Sequence, residues 1–190
     1  MKIVILAAIE EEILPRYFSN FELVYTGIGK INAAYTTSKV IYEKQPDYLV
    51  NVGTAGVLTS SLINQVCHIS KVIERDALCE PLSPRGKFPN DSSPSEFSNE
   101  LNFGYKLATG DSFVTSPDPW LLENSIDLVD MEYFSIAKVS HMHQIPCFSL
   151  KYGSDIANKD AARDWSLSFA NASKALAQEL DYFMGKISKK

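Results

Sequence analysis

The sequence predicts an α/β fold, and three observations carry that prediction. Short apolar runs alternate with segments of helical period, the pattern of a parallel sheet covered on both faces. The 190 residues are 45% hydrophobic, enough for a sizeable core in one domain spanning 1–190. The closing stretch carries Leu167, Ala170, Leu176, Leu180 and Phe183 at roughly helical spacing, as expected of a helix laid on a sheet.

The elements follow in order. Residues 2–8 are one apolar run that turns acidic at Glu10-Glu11-Glu12 instead of offering a cleavage site, so they read as a buried strand. A second strand, 22–26, ends at Thr26-Gly27-Ile28-Gly29-Lys30 and leads into a helix over 30–44. Glycines there let backbone amides approach an anion or polar ligand at the helix N-terminus. The spacing matches neither a dinucleotide fingerprint nor an ATP-binding phosphate loop, and a plain tight turn stands beside the ligand reading.

The third strand, 48–52, opens into Asn51-Val52-Gly53-Thr54-Ala55-Gly56, small residues at the kind of strand end where α/β sheets bind ligands, with Thr54 as a hydrogen-bond donor. A fourth strand covers 66–73. Residues 79–102 turn to Pro, Ser, Asn and Gly and read as one long loop, a candidate lid. The strand 105–109 runs into Gly110-Asp111-Ser112-Phe113-Val114, where Phe113 suits stacking on a planar base and the Val114 backbone suits reading its edge; burial of Phe113 in the core is the competing reading.

Strand 126–129 ends at Asp130-Met131-Glu132, before a helix over 132–143, and strand 147–152 ends at Ser154-Asp155, before a helix over 161–186. Both acidic steps also suit helix capping. With one glutamate of the 10–12 triplet, they place carboxylates at three strand ends. Carboxylates held in unlike environments perform acid/base work near neutral pH, so an enzyme is the first expectation.

Composition narrows the partners. A net charge of −5 argues against nucleic-acid or anionic-membrane surfaces and favours a small molecule. No apolar stretch reaches the ~20 residues of a membrane helix. Cys67, Cys79 and Cys147 are odd in number and lack metal spacing, which suits a reduced, cytoplasmic protein. His141 and His143 fit a helix C-terminus better than a metal pair, and no metal is expected. Lys189-Lys190 reads as a frayed end.

Taken in order, Ala8-Ile9-Glu10-Glu11-Glu12, Gly27-Ile28-Gly29-Lys30-Ile31-Asn32-Ala33-Ala34, Asn51-Val52-Gly53-Thr54-Ala55-Gly56, Gly110-Asp111-Ser112-Phe113-Val114, Asp130-Met131-Glu132 and Ser154-Asp155 resemble the purine nucleoside phosphorylase and nucleosidase superfamily. The chain is most similar to its methylthioadenosine/S-adenosylhomocysteine nucleosidase branch. The resemblance implies a three-layer α/β/α sandwich around a mixed, partly barrel-like sheet. It also implies hydrolysis of the bond between adenine and ribose without a cofactor, and a homodimer whose partner subunit helps cover the 5′ end.

By the same resemblance, Glu12 directs or activates water and Asp155 protonates the leaving base at N7. Glu132 binds the ribose hydroxyls, Met131 packs on the sugar, Phe113 packs on adenine and Ser154 orients Asp155. Thr54 and Ile9 complete the substrate contacts, Ile9 standing where the closest relatives carry Met. The chain departs from the family in a shorter 18–27 segment, in Tyr133, in Lys151 at a position often held by Arg, and in Arg75-Asp76 and Pro81-Leu82. Phe88, Phe97 and Phe103 are candidates to line the pocket from the long loop. Phosphorolysis is the nearest rival, disfavoured by only four arginines (Arg16, Arg75, Arg85, Arg163) and by the acidic triplet. A nucleoside-binding protein without turnover is the third reading.

Overall fold

Val4, Ile5, Leu6 and Ala7 are all fully buried, so the first strand, β1 (Ile3–Ala7), has no solvent face. Val4 and Leu6 join one hydrophobic cluster while Ile5 and Ala7 join another, as the two-residue period of a strand requires when both faces are covered. The computed structural model describes residues 1–99, 104–116, 118–157 and 161–187. The further elements are β2 (Glu22–Tyr25), α1 (Lys30–Lys44), β3 (Tyr48–Val57), β4 (Val66–Glu74), β5 (Glu96–Ser98), β6 (Tyr105–Thr109), α2 (Pro119–Glu123), β7 (Leu128–Asp130), α3 (Tyr133–Met142), β8 (Cys147–Ile156) and α4 (Ala161–Ile187).

The sheet closes on itself. β3 pairs with β7 and β8, β8 with β4, β4 with β6, and β6 with β7, so these five strands form a ring. β1 and then β2 extend from β3 as a parallel flap, and β5 adds to β4. The β3–β7, β4–β5 and β4–β8 pairs are antiparallel, which corrects a purely parallel reading and agrees with the mixed, partly barrel-like sheet that the resemblance implies.

Two helical layers cover it. On one face, Ala33, Val40 and Ile41 of α1 and Phe134, Ile136 and Ala137 of α3 pack over Val4, Leu6 and Leu49. On the other, Leu176, Leu180 and Phe183 of α4 pack over Ile5, Val50 and Phe148. The expected Leu167 and Ala170 lie outside the described side chains, and Lys189-Lys190 lies outside the described residues.

Most boundaries fall close to those expected, and the exceptions share a cause. β3 and β8 run on to Val57 and Ile156, past their expected ends at 52 and 152, because they pair from Leu49 with Cys147 to Val57 with Ile156, with one register shift between Ala55 and Gly56. Cross-strand pairing overrides the weak strand propensity of Gly, Ala and Ser there. The 79–102 stretch is not all loop: Glu96–Ser98 forms β5, with Phe97 buried opposite Val72 of β4, while 100–102 lie outside the described residues. The short α2 begins at Pro119 under an Asp118 cap that accepts the Trp120 N–H at 3.0 Å.

Leu180 is fully buried between α4 and the sheet. Leu180→Ala is expected to destabilise the fold by about 2–5 kcal/mol, read as a lower urea midpoint at unchanged slope.

Candidate active site

A cavity of about 150 Å³ opens over the ring, lined by Glu12, Thr54, Phe113, Val114, Met131, Glu132, Ser154 and Asp155 among others. Eight of the nine residues expected at the site therefore meet on one surface. The ninth, Ile9, is half-buried and stands outside the lining.

Glu12 is the member of its triplet that faces inward: Glu10 and Glu11 are exposed and Glu12 is 4% exposed. The Thr54 backbone N–H and hydroxyl both donate to its carboxylate. Burial pushes its pKa up, opposed by those donors and by the Lys151 ammonium. Gly53 lies against the same pair, since a Cβ there would touch both Glu12 Oε1 and Lys151 Nζ at 3.4 Å.

Asp155 depends on an irregular strand. Ala55 of β3 pairs with Gly153 and Gly56 with Asp155, so Ser154 is an extra residue, a β-bulge in β8. Strict alternation would send Ser154 and Asp155 to opposite faces; the bulge lets both line one cavity. Ser154 Oγ donates to Asp155 Oδ1 at 2.6 Å. Both residues lie inside β8 and not at a helix start, so the capping alternative does not hold for them. A Cβ on Gly56 would meet Asp155 Oδ2 at 3.1 Å, so the carboxylate lies directly against β3.

Glu132 precedes α3, where the Gly29 N–H donates to its Oε1 at 2.9 Å. The Lys30 N–H likewise donates to Asp111 Oδ1 at 2.7 Å. The glycine turn thus offers its amides to polar acceptors, as its sequence suggested, but both acceptors are side chains of this chain. Burial first, and then the Asp130 carboxylate, push the Glu132 pKa up to about 8.

Asp130 holds this corner together. It accepts the Tyr133 N–H at 2.9 Å, although the N-cap position expected of Asp130 falls to Glu132, and it accepts the Thr109 hydroxyl at 2.5 Å and pairs with Lys151 Nζ at 2.9 Å. Burial alone would lower the Lys151 pKa; Asp130 and Glu132 outweigh it and raise the value. Sequence reasoning noted Lys151 only as a departure. Its signal was available, for a lysine inside the apolar run Phe148–Tyr152 requires a buried counter-charge. Arg75 and Ser112 also line the cavity and were not expected there.

Other expectations are placed elsewhere. Tyr133 is absent from the lining of the acid cavity and lines a separate one with Phe97, His141 and Cys147, to which it is hydrogen-bonded. Phe97 packs on Phe134 and His141, Phe88 is half-exposed and outside the acid cavity, and Phe103 lies outside the described residues. Among the described residues, no group of three or more His, Cys, Asp and Glu is arranged to hold a metal ion.

A closed mixed sheet between helices, with carboxylates held in unlike environments beside an aromatic wall, defines an α/β protein equipped for acid/base chemistry on a small molecule. Residues 20–184 match the family model described as the phosphorylase superfamily, and the chain belongs to that family. It is 28% identical over 175 residues to the 5′-methylthioadenosine/S-adenosylhomocysteine nucleosidase of Staphylococcus haemolyticus, covering 80% of this chain and 76% of that protein. It is 27% identical over 218 residues to the aminodeoxyfutalosine nucleosidase of Campylobacter jejuni, covering 93% and 95%. In fold it is similar to a Helicobacter pylori methylthioadenosine nucleosidase variant solved with 5′-methylthioadenosine in its active site, with a TM-score of 0.87, 22% identity and coverage of 97% and 98%.

The raised Glu132 pKa makes stability depend on pH. Because the folded value of about 8 exceeds the ordinary 4.5, folding takes up a proton between them, and stability falls as pH rises through that window. Glu132→Gln removes the titration. Its melting temperature is expected to fall less than that of the native chain between about pH 5 and 9 in thermal melts.

Proposed function

We propose that this chain, a nucleosidase hydrolysing an N-glycosidic bond, releases adenine from 5′-modified adenosines such as methylthioadenosine, S-adenosylhomocysteine or a related nucleoside. The observation that carries the reading is the convergence of Glu12, Glu132 and Asp155 with Phe113 and Val114 on one cavity.

The geometry supplies each chemical need. Phe113 offers an aromatic face to the base while the Val114 backbone reads its edge, and Asp155, oriented by Ser154, gives a proton to N7 as the glycosidic bond breaks. The bonding electron pair leaves with the base and the ribose gains oxocarbenium character. Glu132 accepts hydrogen bonds from the ribose hydroxyls and Met131 packs on the sugar. Glu12, fixed by Thr54, takes a proton from water as the water oxygen bonds to the sugar carbon. Ile9 stands outside the cavity lining, so a contact with substrate requires it to approach.

Water is favoured over phosphate because carboxylates line the cavity and Arg75, the arginine that lines it, is bonded to backbone and Ser112 oxygens. The similarity to an aminodeoxyfutalosine nucleosidase keeps a larger 5′ group as a second reading of the substrate. Retention of every expected carboxylate disfavours binding without turnover.

The test is adenine release by the purified chain with and without phosphate. Equal release in both is expected, with Asp155→Asn and Glu12→Gln each lowering turnover by about 10²–10⁴. Strict phosphate dependence, or full turnover in either variant, overturns the assignment.

We also propose that the chain acts as a homodimer and, from its composition and three free cysteines, in the cytoplasm. Ile31, Tyr35 and Tyr42 on α1 are 82%, 70% and 85% exposed, an apolar face suited to a second copy. Sedimentation is expected to give twice the mass of one chain, and Tyr35→Glu with Tyr42→Glu is expected to give one. No helix among the described residues is long and apolar enough to cross a membrane.

A further inference from the structure

Arg75 is a buried guanidinium at the end of β4, 5% exposed, on the wall of the acid cavity. Its Nη2 donates to the Gly110 carbonyl at 2.9 Å and to the Ser112 carbonyl, and its Nη1 donates to Ser112 Oγ at 3.1 Å. All its acceptors thus lie in the turn that runs from β6 directly into Phe113 and Val114. The turn is shaped to receive it: a Cβ on Gly110 would lie 2.8 Å from both Arg75 Cγ and Cζ. Arg85 holds the other side, its Nε donating to the Arg75 carbonyl at 2.6 Å while its Nη2 pairs with Asp118 at 2.7 Å.

We infer that Arg75 is a positioning residue for base recognition, bracing the turn that presents Phe113 and Val114 to the nucleobase. This rests on the reading that those two residues hold the base. The planar fork suits the task, because it satisfies two carbonyls and a hydroxyl at fixed relative positions, which a lysine ammonium cannot reproduce. Arg75 is also costly as mere scaffolding. Its Nε is buried without a hydrogen-bond partner among the described residues, and unpaired buried donors are rare in native folds.

Loss of the brace weakens binding of the base and leaves binding of the sugar intact. Steady-state kinetics with methylthioadenosine, and competition by free adenine and by 5-methylthioribose, are to be measured for the native chain, Arg75→Lys and Gly110→Ala. The second variant keeps the arginine and displaces it, which guards against a folding defect peculiar to position 75. Both variants are expected to raise KM and weaken adenine about tenfold, the scale of one lost charge-assisted anchor, with kcat within about threefold and 5-methylthioribose affinity unchanged. Unchanged adenine affinity in both variants, or equal losses for adenine and sugar, overturns the role. A native chain that releases no adenine overturns the reading of the site itself, which is a separate outcome.

Discussion

The pair between Lys151 and Asp130 is the constraint on which the site depends. At 2.9 Å, with side chains 2% and 1% exposed, it joins two charges where neither is stable alone. Asp130 ends β7, accepts the N–H of Tyr133, the first residue of α3, and binds Thr109 of β6, whose hydroxyl oxygen in turn accepts the Phe134 N–H at 3.0 Å. Lys151 lies on β8, the strand that closes the ring between β3 and β4. One ion pair therefore ties three strands of the ring and a helix. Removing one partner of such a pair leaves an uncompensated buried charge, which typically costs about 3–5 kcal/mol.

The same lysine sets the electrostatics of the cavity. Glu12 and Glu132 both feel its charge, and Asp130 already engages it. A single cation cannot hold three buried carboxylates fully ionised, and the structure divides the burden unequally. Asp130 has the direct ion pair, Glu12 has two Thr54 donors, and Glu132 has one backbone N–H from Gly29. The glutamate with the fewest donors is the one pushed up to about 8. Burial thus raises the pKa of both glutamates against unequal sets of donors and holds them in unlike electrostatic environments, as acid/base chemistry requires.

How much of this was legible follows from which interactions are local. The apolar runs and the helix spanning 30–44 were readable because each depends on its own sequence, and the ordered motifs carried the site because each sits at a strand end. The lengths of β3 and β8 were not readable, since Gly53 to Gly56 and Gly153 to Asp155 become strand only by pairing with each other. The Ser154 bulge is hidden for the same reason: no local signal distinguishes an extra residue from an alternating one. Ile9 was matched by motif, and its half-buried side chain ended outside the cavity. Arg75 was visible only as a departure, because its acceptors lie more than thirty residues away in the Gly110–Ser112 turn.

The glycine turn before α1 shows how the fold bears on the choice between water and phosphate. Gly29, at φ +93°, and Lys30 present amides at a helix N-terminus, the arrangement that ordinarily receives an external anion. Here Glu132 and Asp111 accept those amides, and Lys30 Nζ is held between Glu74 and Asp76 at 2.5 Å from each. An arriving phosphate would have to displace a carboxylate that belongs to the cavity and separate a cation from two acids. Neutral water meets no such competition. Donors that could receive an anion are here engaged with Glu132 and Asp111, which supports hydrolysis as the reaction this cavity performs.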